Sequence, residues 1–381
     1  MADSPLRFLR ELLDPYEPLL DRLFLFGTVY GTWNVFKCCY YVLSGFRRYI
    51  LRIGASPVTV AKLGEWAVVN GATTSLGTAF ALDLAERNFK IILIGNSDTK
   101  LQNTAKEIED VFGTEVFGIL ADFTQGLRVF EDIKELLTGL EVGLLVNNVA
   151  VRYDYPKWFE ELSTQRMLHL LNIDVIGASM MTHTLLPQML KREKGMIINI
   201  CSSIATAPPT PLMTVYQSAM SYIHTFSQAL HYECVGRGVI VQALLPSFVQ
   251  ENTERTSILA PPPHVYARHA LNQIGFSSSS SGHWVHALLG WVLQFVPDSV
   301  WVWWTRGVNI NLRSKGIDEK LVRRTALLNI LKHSKDISFE ETVTRKRSQS
   351  QLAPTLTQES PTIDRRRSHS FQSGNILISK H

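Results

Sequence analysis

Charge is scarce in this chain of 381 residues. Asp, Glu, Lys and Arg supply 19% of it, little for a soluble protein, and the formal net charge at pH 7 is only +4. So mild a balance argues little by itself, and no nucleic-acid partner is expected. Cysteine is scarce as well. Cys38 and Cys39 are adjacent while Cys201 and Cys234 stand far apart, which excludes a disulfide framework and a metal-ligand spacing, so a reducing compartment is the expectation. The first residues also lack the character of a targeting signal. Asp3, Glu11, Asp14, Glu17 and Asp21 make the leader too acidic for a matrix transit peptide, and place the first apolar run too late for a cleaved secretory signal.

Two apolar, aromatic-rich regions account for the low charge. The first, Leu23 to Phe46 with Arg47 and Arg48 after it, is long enough to cross a bilayer, since roughly twenty residues suffice. Lys37 and Asn34 weigh against a central span, because a charge at mid-membrane costs about 2.5–3.5 kcal/mol. Membrane association, spanning or lying in the interface, is the expectation. The second region, Trp284 to Trp304, holds Trp284, Trp291, Trp301, Trp303 and Trp304 and is broken by Pro297 and Asp298. A break disfavours a clean span and clustered Trp suits the lipid interface, so residues 283–304 read as an interfacial patch.

Between these regions short apolar strands alternate with amphipathic helices. Strands are expected at Trp66–Asn70, Ile91–Ile94, Val116–Ala121, Gly143–Val146, Met196–Ile200 and Val239–Leu245, with helices over 78–87 and 100–112, a long one ending near Lys191, and another from Tyr216. Nearly continuous apolar strands joined by helices imply an α/β doubly wound parallel sheet covered on both faces. Past Pro246 the pattern turns irregular, through Pro261, Pro262, Pro263 and a serine run at 277–281. The chain therefore divides into a leader and membrane segment (1–55), an α/β domain (56–313), an amphipathic extension (314–333) and a basic, Ser-rich tail (334–381) read as disordered. In that tail Arg345-Lys346-Arg347-Ser348 and Arg365-Arg366-Arg367-Ser368 repeat a basic triplet before a serine. Ser348 and Ser368 are candidates for phosphorylation and a phospho-dependent partner, as against a solvated tail touching acidic lipid.

Chemistry concentrates around Asn199-Ile200-Cys201-Ser202-Ser203 and Tyr216-Gln217-Ser218-Ala219-Met220. A strand ending in paired serines, then a tyrosine opening a long helix, resembles the catalytic stretch of the short-chain dehydrogenase/reductase family. That resemblance implies a Rossmann-type fold, NADP or NAD as cofactor, Ser203 polarising a substrate carbonyl and Tyr216 passing the proton. It also implies a lysine four residues after the tyrosine, which lowers the phenol pKa and holds the nicotinamide ribose. Met220 stands there. A phenol unaided titrates near ~10, so about one in a thousand is ionised at neutral pH, and Met offers neither charge nor donor to change that.

Other family positions are kept or altered. Gly71-Ala72-Thr73-Thr74-Ser75-Leu76-Gly77 lies where the family has G-x-x-x-G-x-G, a turn that brings a helix N-terminus to the pyrophosphate, with Ser75 for the middle glycine. A Cβ there narrows the approach and is costly if φ is positive. Asp122 matches the residue that meets adenine, and Asn148 belongs to a match of Asn-Asn-x-Gly that ends in Ala150. Asp174 replaces the site asparagine, Gly95-Asn96 replaces a Ser-Arg that meets the 2'-phosphate of NADPH, and Glu251 replaces a threonine facing the cofactor. An extra anion beside a pyrophosphate is unfavourable. His224, two turns past Tyr216, is the nearest other titratable group on its helix but lies too far along to serve the same ribose.

Trp66-Ala-Val-Val, Leu144-Leu-Val-Asn-Asn-Val, the run 186–195, Val265-Tyr-Ala-Arg-His-Ala270 and Trp301-Val-Trp resemble the membrane-associated 17-beta-hydroxysteroid dehydrogenase and 3-ketoacyl-CoA reductase branch, and within it the inactive hydroxysteroid dehydrogenase-like group. In that group the tyrosine is the residue lost; here the lysine is. The resemblance implies an intracellular membrane, mitochondrial or endoplasmic reticulum, and a homodimer formed through the helices after the fourth and fifth strands. With so many changes in one surface, the expectation is a pseudoenzyme that binds or scaffolds, its nucleotide binding weak or lost. The alternatives are an NADPH-dependent reductase of steroid or 3-ketoacyl-CoA carbonyls, and a sterol or lipid binder using the former substrate cleft.

Overall fold

The computed structural model describes residues 17–46, 63–148, 151, 153–250, 259–319 and 378–380. Its sheet contains β1 (Trp66–Asn70), β2 (Lys90–Gly95), β3 (Val116–Leu120), β4 (Val142–Asn147), β5 (Gly195–Ile200), β6 (Val239–Leu244), β7 (Ser279–Ser280) and β8 (Ile378–Lys380). Their order is β7-β6-β5-β4-β1-β2-β3-β8, with β1 to β7 parallel and β8 antiparallel to β3. The reversal of order between β1 and β4 puts a crevice at their carboxyl ends.

Helices α2 (Ser75–Glu86), α3 (Asp98–Phe112), α4 (Arg128–Leu136), α5 (Thr164–Leu171), α6 (Ala178–Arg192), α7 (Thr214–Cys234), α8 (Pro263–Leu271) and α9 (Trp284–Leu293) follow the domain, and α10 spans Asp298–Glu319. Because side chains alternate across a strand, β1 and β2 feed two cores at once. Ala67, Val69, Ile91 and Leu93 pack with Phe80 and Ile108 and with Tyr266 of α8. Trp66, Val68, Ile92 and Ile94 pack on the opposite face with Phe130, Leu185 and Leu230. That double burial is why these strands read as unbroken apolar runs.

A polar ladder crosses the interior. Asn147 Nδ2 donates to Asn199 Oδ1 at 2.8 Å, and Asn199 Nδ2 donates to Ser227 Oγ at 2.8 Å, tying β4 and β5 to α7. Gln242 is less well served: it is wholly buried on β6, and neither amide atom has a hydrogen-bond partner among the described residues. Burying an unpaired polar group costs about 1–3 kcal/mol, so Gln242→Met, of similar shape, is expected to raise stability by about that much in a denaturant melt.

Several segments differ from the sequence reading. The serine run supplies β7, whose Ser280 is buried and donates to Gln273 Oε1 at 3.1 Å, so the region beyond Pro246 is more regular than expected. Helix α10 passes through position 313, where the domain was expected to end. Gly316 packs on Tyr155, and Arg313 pairs with Glu161. In the tail, Ile378–Lys380 form a strand, and the other residues of 334–381, Ser348 and Ser368 included, lie outside the described residues.

The amino-terminal run forms a helix of 30 residues, α1 (Glu17–Phe46), whose large apolar side chains are exposed, from Leu19 to Leu43. Among the described residues no single helix is long and apolar enough to cross a membrane. Lys37, Asn34 and the glycines lower its hydropathy. The helices α9 and α10 together have the length and apolar composition of a membrane segment, with a bend of 117° between them.

Candidate active site

Strand β5 ends at Ile200 and gives way to a short 3-10 turn, Ser203–Thr206. Ser202 caps that turn, its Oγ accepting from Ile204 N, while Ser203 N donates to Pro246 O at 2.9 Å. The second bond ties the serine loop to the loop after β6. Tyr216 and Met220 both lie on the buried face of α7, one turn apart, at 4% and 1% exposure. Met220 packs in an apolar cluster with Tyr216, Ala219, Ile223, Leu170 and Cys201. Burial pushes the Cys201 thiol far above its ordinary range, so Cys201 acts there as a small apolar filler.

Gln217, beside the tyrosine, organises the loop that leads to it. Its Oε1 accepts from Thr210 N at 2.7 Å, and its Nε2 donates to the carbonyls of Ile204, Ala207 and Pro208 at 3.1, 3.2 and 3.1 Å. No sequence pattern marks that role, since the contacts are all to backbone. His286 does the same for the next loop: Ser247 N donates to its Nδ1, and its Nε2 therefore carries the proton donated to Phe248 O at 3.0 Å. His224 is bonded through Nε2 to Ser279 Oγ of β7 at 3.1 Å, and burial holds it below the ordinary imidazole range. It serves the sheet edge.

Asp174 sits in a π-helical turn, Asn172–Gly177, between α5 and α6, with no exposed surface. Oδ1 accepts from Val151 N at 2.7 Å, but Oδ2 is buried with no hydrogen-bond partner among the described residues. Desolvation dominates and raises its pKa to about 7, against weaker lowering by the Val151 bond and by Arg166. The turn packs against α7, so a carboxyl that is half protonated at neutral pH adjoins the helix of Tyr216 and Met220.

The glycine turn keeps its shape. Gly71 has φ +79, Thr74 caps α2 by accepting from Gly77 N, and Ser75 is the first residue of the helix. Ser75 is not among the residues of positive φ, so the strain considered for its Cβ does not arise. Asn148 Nδ2 donates to Thr74 Oγ1 at 2.7 Å and to Gly71 O at 3.3 Å, bracing the turn from β4. Asp122 Oδ1 accepts from Thr124 N and Oγ1, which fixes that carboxylate at the rim. Beside the turn lies a cleft of 440 Å³ whose lining includes Gly71, Thr73, Asn96, Asp122, Asn148 and His169.

These groups fit a nucleotide: a helix N-terminus whose first amides lack intrahelical acceptors, and an acceptor set for a base. Gly77 completes the cradle, since a Cβ there would lie 2.2 Å from Gly71 O and 2.9 Å from Asn148 Nδ2. Gly77→Ala is therefore expected to spread the turn, cost about 1–3 kcal/mol in a thermal melt, and remove any nucleotide-induced shift. Gly71, Asp122 and Asn148 are thus brought together in the open cleft; Ser203, Tyr216 and Met220 do not line it. Ala150 and Glu251 lie outside the described residues.

A doubly wound sheet with a glycine turn at its crevice and a serine–tyrosine pair beyond β5 defines a class of protein. The short chain dehydrogenase family pattern matches residues 65–260, and the chain belongs to that family. It is 36% identical over 325 residues to the inactive hydroxysteroid dehydrogenase-like protein 1 of Homo sapiens, which covers 83% of this chain and 98% of that protein. It is 37% identical over 264 residues to the very-long-chain 3-oxoacyl-CoA reductase of Anas platyrhynchos, covering 68% and 84%. Among solved structures, a 7beta-hydroxysteroid dehydrogenase shares the fold, with a TM-score of 0.58 at 19% identity over 64% of this chain and 96% of that one. The L-sorbose reductase of Gluconobacter frateurii, solved with NADPH and L-sorbose, has a TM-score of 0.51 at 17% identity, over 58% and 96%.

Proposed function

We propose that this chain is a membrane-associated pseudoenzyme of the short-chain dehydrogenase/reductase fold, acting by binding or scaffolding in steroid or lipid metabolism rather than by hydride transfer. The observation that carries the reading is Met220. It is buried in an apolar cluster one turn from Tyr216, where the family's lysine tunes the phenol and holds the ribose. No cation replaces that lysine from His224, which is engaged with Ser279. The similarity to relatives named inactive supports the same conclusion.

Nucleotide binding is expected to be weak, with Asn96 in place of arginine at the cleft and no lysine for the nicotinamide ribose. A thermal melt of the full chain with NADPH and with NADH tests this. A ligand at a hundred times its Kd adds about 2.7 kcal/mol and several degrees of Tm, whereas this reading predicts a shift of under about one degree at millimolar nucleotide. A large shift accompanied by turnover of steroid or 3-ketoacyl-CoA carbonyls would instead establish the NADPH-dependent reductase.

Helix α1 supports a membrane as the site of action, and the resemblance to the membrane-associated branch implies an intracellular one, mitochondrial or endoplasmic reticulum. Its exposed apolar side chains run around the whole helix, a distribution that suits burial in lipid better than a single protein groove. Three of its polar side chains are satisfied within the helix: the Thr28 and Thr32 hydroxyls and the Asn34 amide donate to carbonyls four residues back, each at 2.8 Å.

A further inference from the structure

The cysteines of the chain fall into two kinds. Cys201 and Cys234 are buried, as free thiols usually are: Cys201 fills the cluster around Tyr216, and Cys234 packs in the core with Leu230 and Val239. Cys38 and Cys39 stand side by side on α1, both free, Cys39 exposed and Cys38 half-buried. Core packing accounts for the first pair and not for the second, since Phe36, Tyr40, Val42 and Leu43 around Cys38 and Cys39 are themselves exposed. Two adjacent accessible thiols on an open apolar helix point to chemistry at sulfur.

We infer that Cys38 and Cys39 are a site of reversible S-acylation, taking a long-chain acyl group from an acyl-CoA thioester. This rests on the membrane-associated reading above and supplies what α1 lacks. Among the described residues no single helix is apolar enough to cross a bilayer, and one weak signal holds a protein only marginally, whereas stable anchoring takes two. The thiols are also placed for the reaction. They lie about 10–12 Å before the end of α1 at Phe46, a depth just beneath the headgroup layer when that end sits at the surface. The charges of the segment are sorted the same way: the acids Glu17 and Asp21 are at the far end of α1, while Lys37 precedes the thiols and Arg47 and Arg48 follow the helix in sequence. Lys37 Nζ lies over the Trp33 ring at 5.6 Å, on the preceding turn. Basic residues gather at the anionic cytoplasmic leaflet, the side on which acyl-CoA is met. In the transfer the thiol gives up its proton and its sulfur attacks the thioester carbonyl carbon. A new carbon–sulfur bond forms as the old one breaks, and coenzyme A leaves as the free thiol carrying the proton, with no oxidant or reductant involved.

The test uses the full chain expressed in a eukaryotic cell line. Free thiols are blocked with a maleimide, thioesters are cleaved with neutral hydroxylamine, and the thiols so released are labelled with a polyethylene-glycol maleimide that shifts the mass. Wild type is expected to gain one or two tags that depend on hydroxylamine, and Cys38→Ser/Cys39→Ser none, with Cys201 and Cys234 as buried internal controls. Neither Cys38 nor Cys39 belongs to a core cluster, so the melts of the two proteins should match. The membrane-retained fraction of the double variant after a high-salt wash should fall by about tenfold or more. No hydroxylamine-dependent tag on the wild type, or tags that persist in the double variant, would overturn acylation at this site. In either case fractionation of the wild type with membranes supports the membrane-associated reading, and its recovery wholly in the soluble fraction would overturn that reading too. Tags that vanish in the double variant while its membrane retention is unchanged would establish the site and overturn its role as the second anchor.

Discussion

Asp174→Asn is expected to stabilise the protein at pH 8 by as much as about 4 kcal/mol. The folded carboxyl has a pKa of about 7 against a reference value of 3.8, and each unit is worth about 1.4 kcal/mol. The sign follows from proton counts. Between about pH 4 and pH 7 the unfolded chain has released a proton that the folded chain still holds, so wild-type stability falls as pH rises through that window and levels off above it. Asn carries no such proton, and its amide oxygen retains the bond from Val151 N. Melts at pH 4.5 and pH 8 check this: the two proteins should differ little at the lower pH and by roughly ten degrees in Tm at the higher. A difference that does not change with pH would show that Asp174 is ionised throughout.

Met220→Lys is expected to have the opposite effect on stability and to leave catalysis unrestored by itself. An ammonium at a position only 1% exposed must either be desolvated or lose its proton, and an uncompensated buried charge costs on the order of 3–5 kcal/mol. Asp174 is a buried acid in the turn packed against α7, and an ion pair between it and the new ammonium would take part of that load. A double-mutant cycle measures this directly: Met220→Lys should cost more in the Asp174→Asn background than in wild type, by about 1–3 kcal/mol. Equal costs in the two backgrounds would separate the two residues energetically.

The strands were legible in the sequence because both faces of the sheet are buried. β1 was placed to the residue, and β2 to β6 within a residue or so at each end. The missed elements share a physical reason. α4, Arg128–Leu136, is short and mostly charged, with Val129, Phe130 and Ile133 buried in the core and Leu136 packed at its edge. β7 is two serines whose place is set by β6 pairing and by the Ser280–Gln273 bond. At the site, the glycine turn, Ser203 and Tyr216 were reached through the resemblance of their local motifs to the family. The orphaned Oδ2 of Asp174, the loop held by Gln217 and the clamp of His286 on Phe248 arise from long-range packing, which one sequence does not display.

The most direct measurement is NADPH oxidation by the purified full chain, with a steroid ketone and with a long-chain 3-ketoacyl-CoA as substrates. A chain with Met220 in place of the lysine is predicted to show no oxidation above the rate without substrate, and the same result with Tyr216→Phe. Substrate-dependent oxidation by the wild type that disappears in Tyr216→Phe would contradict the account, because Tyr216 would then be a working acid without its lysine.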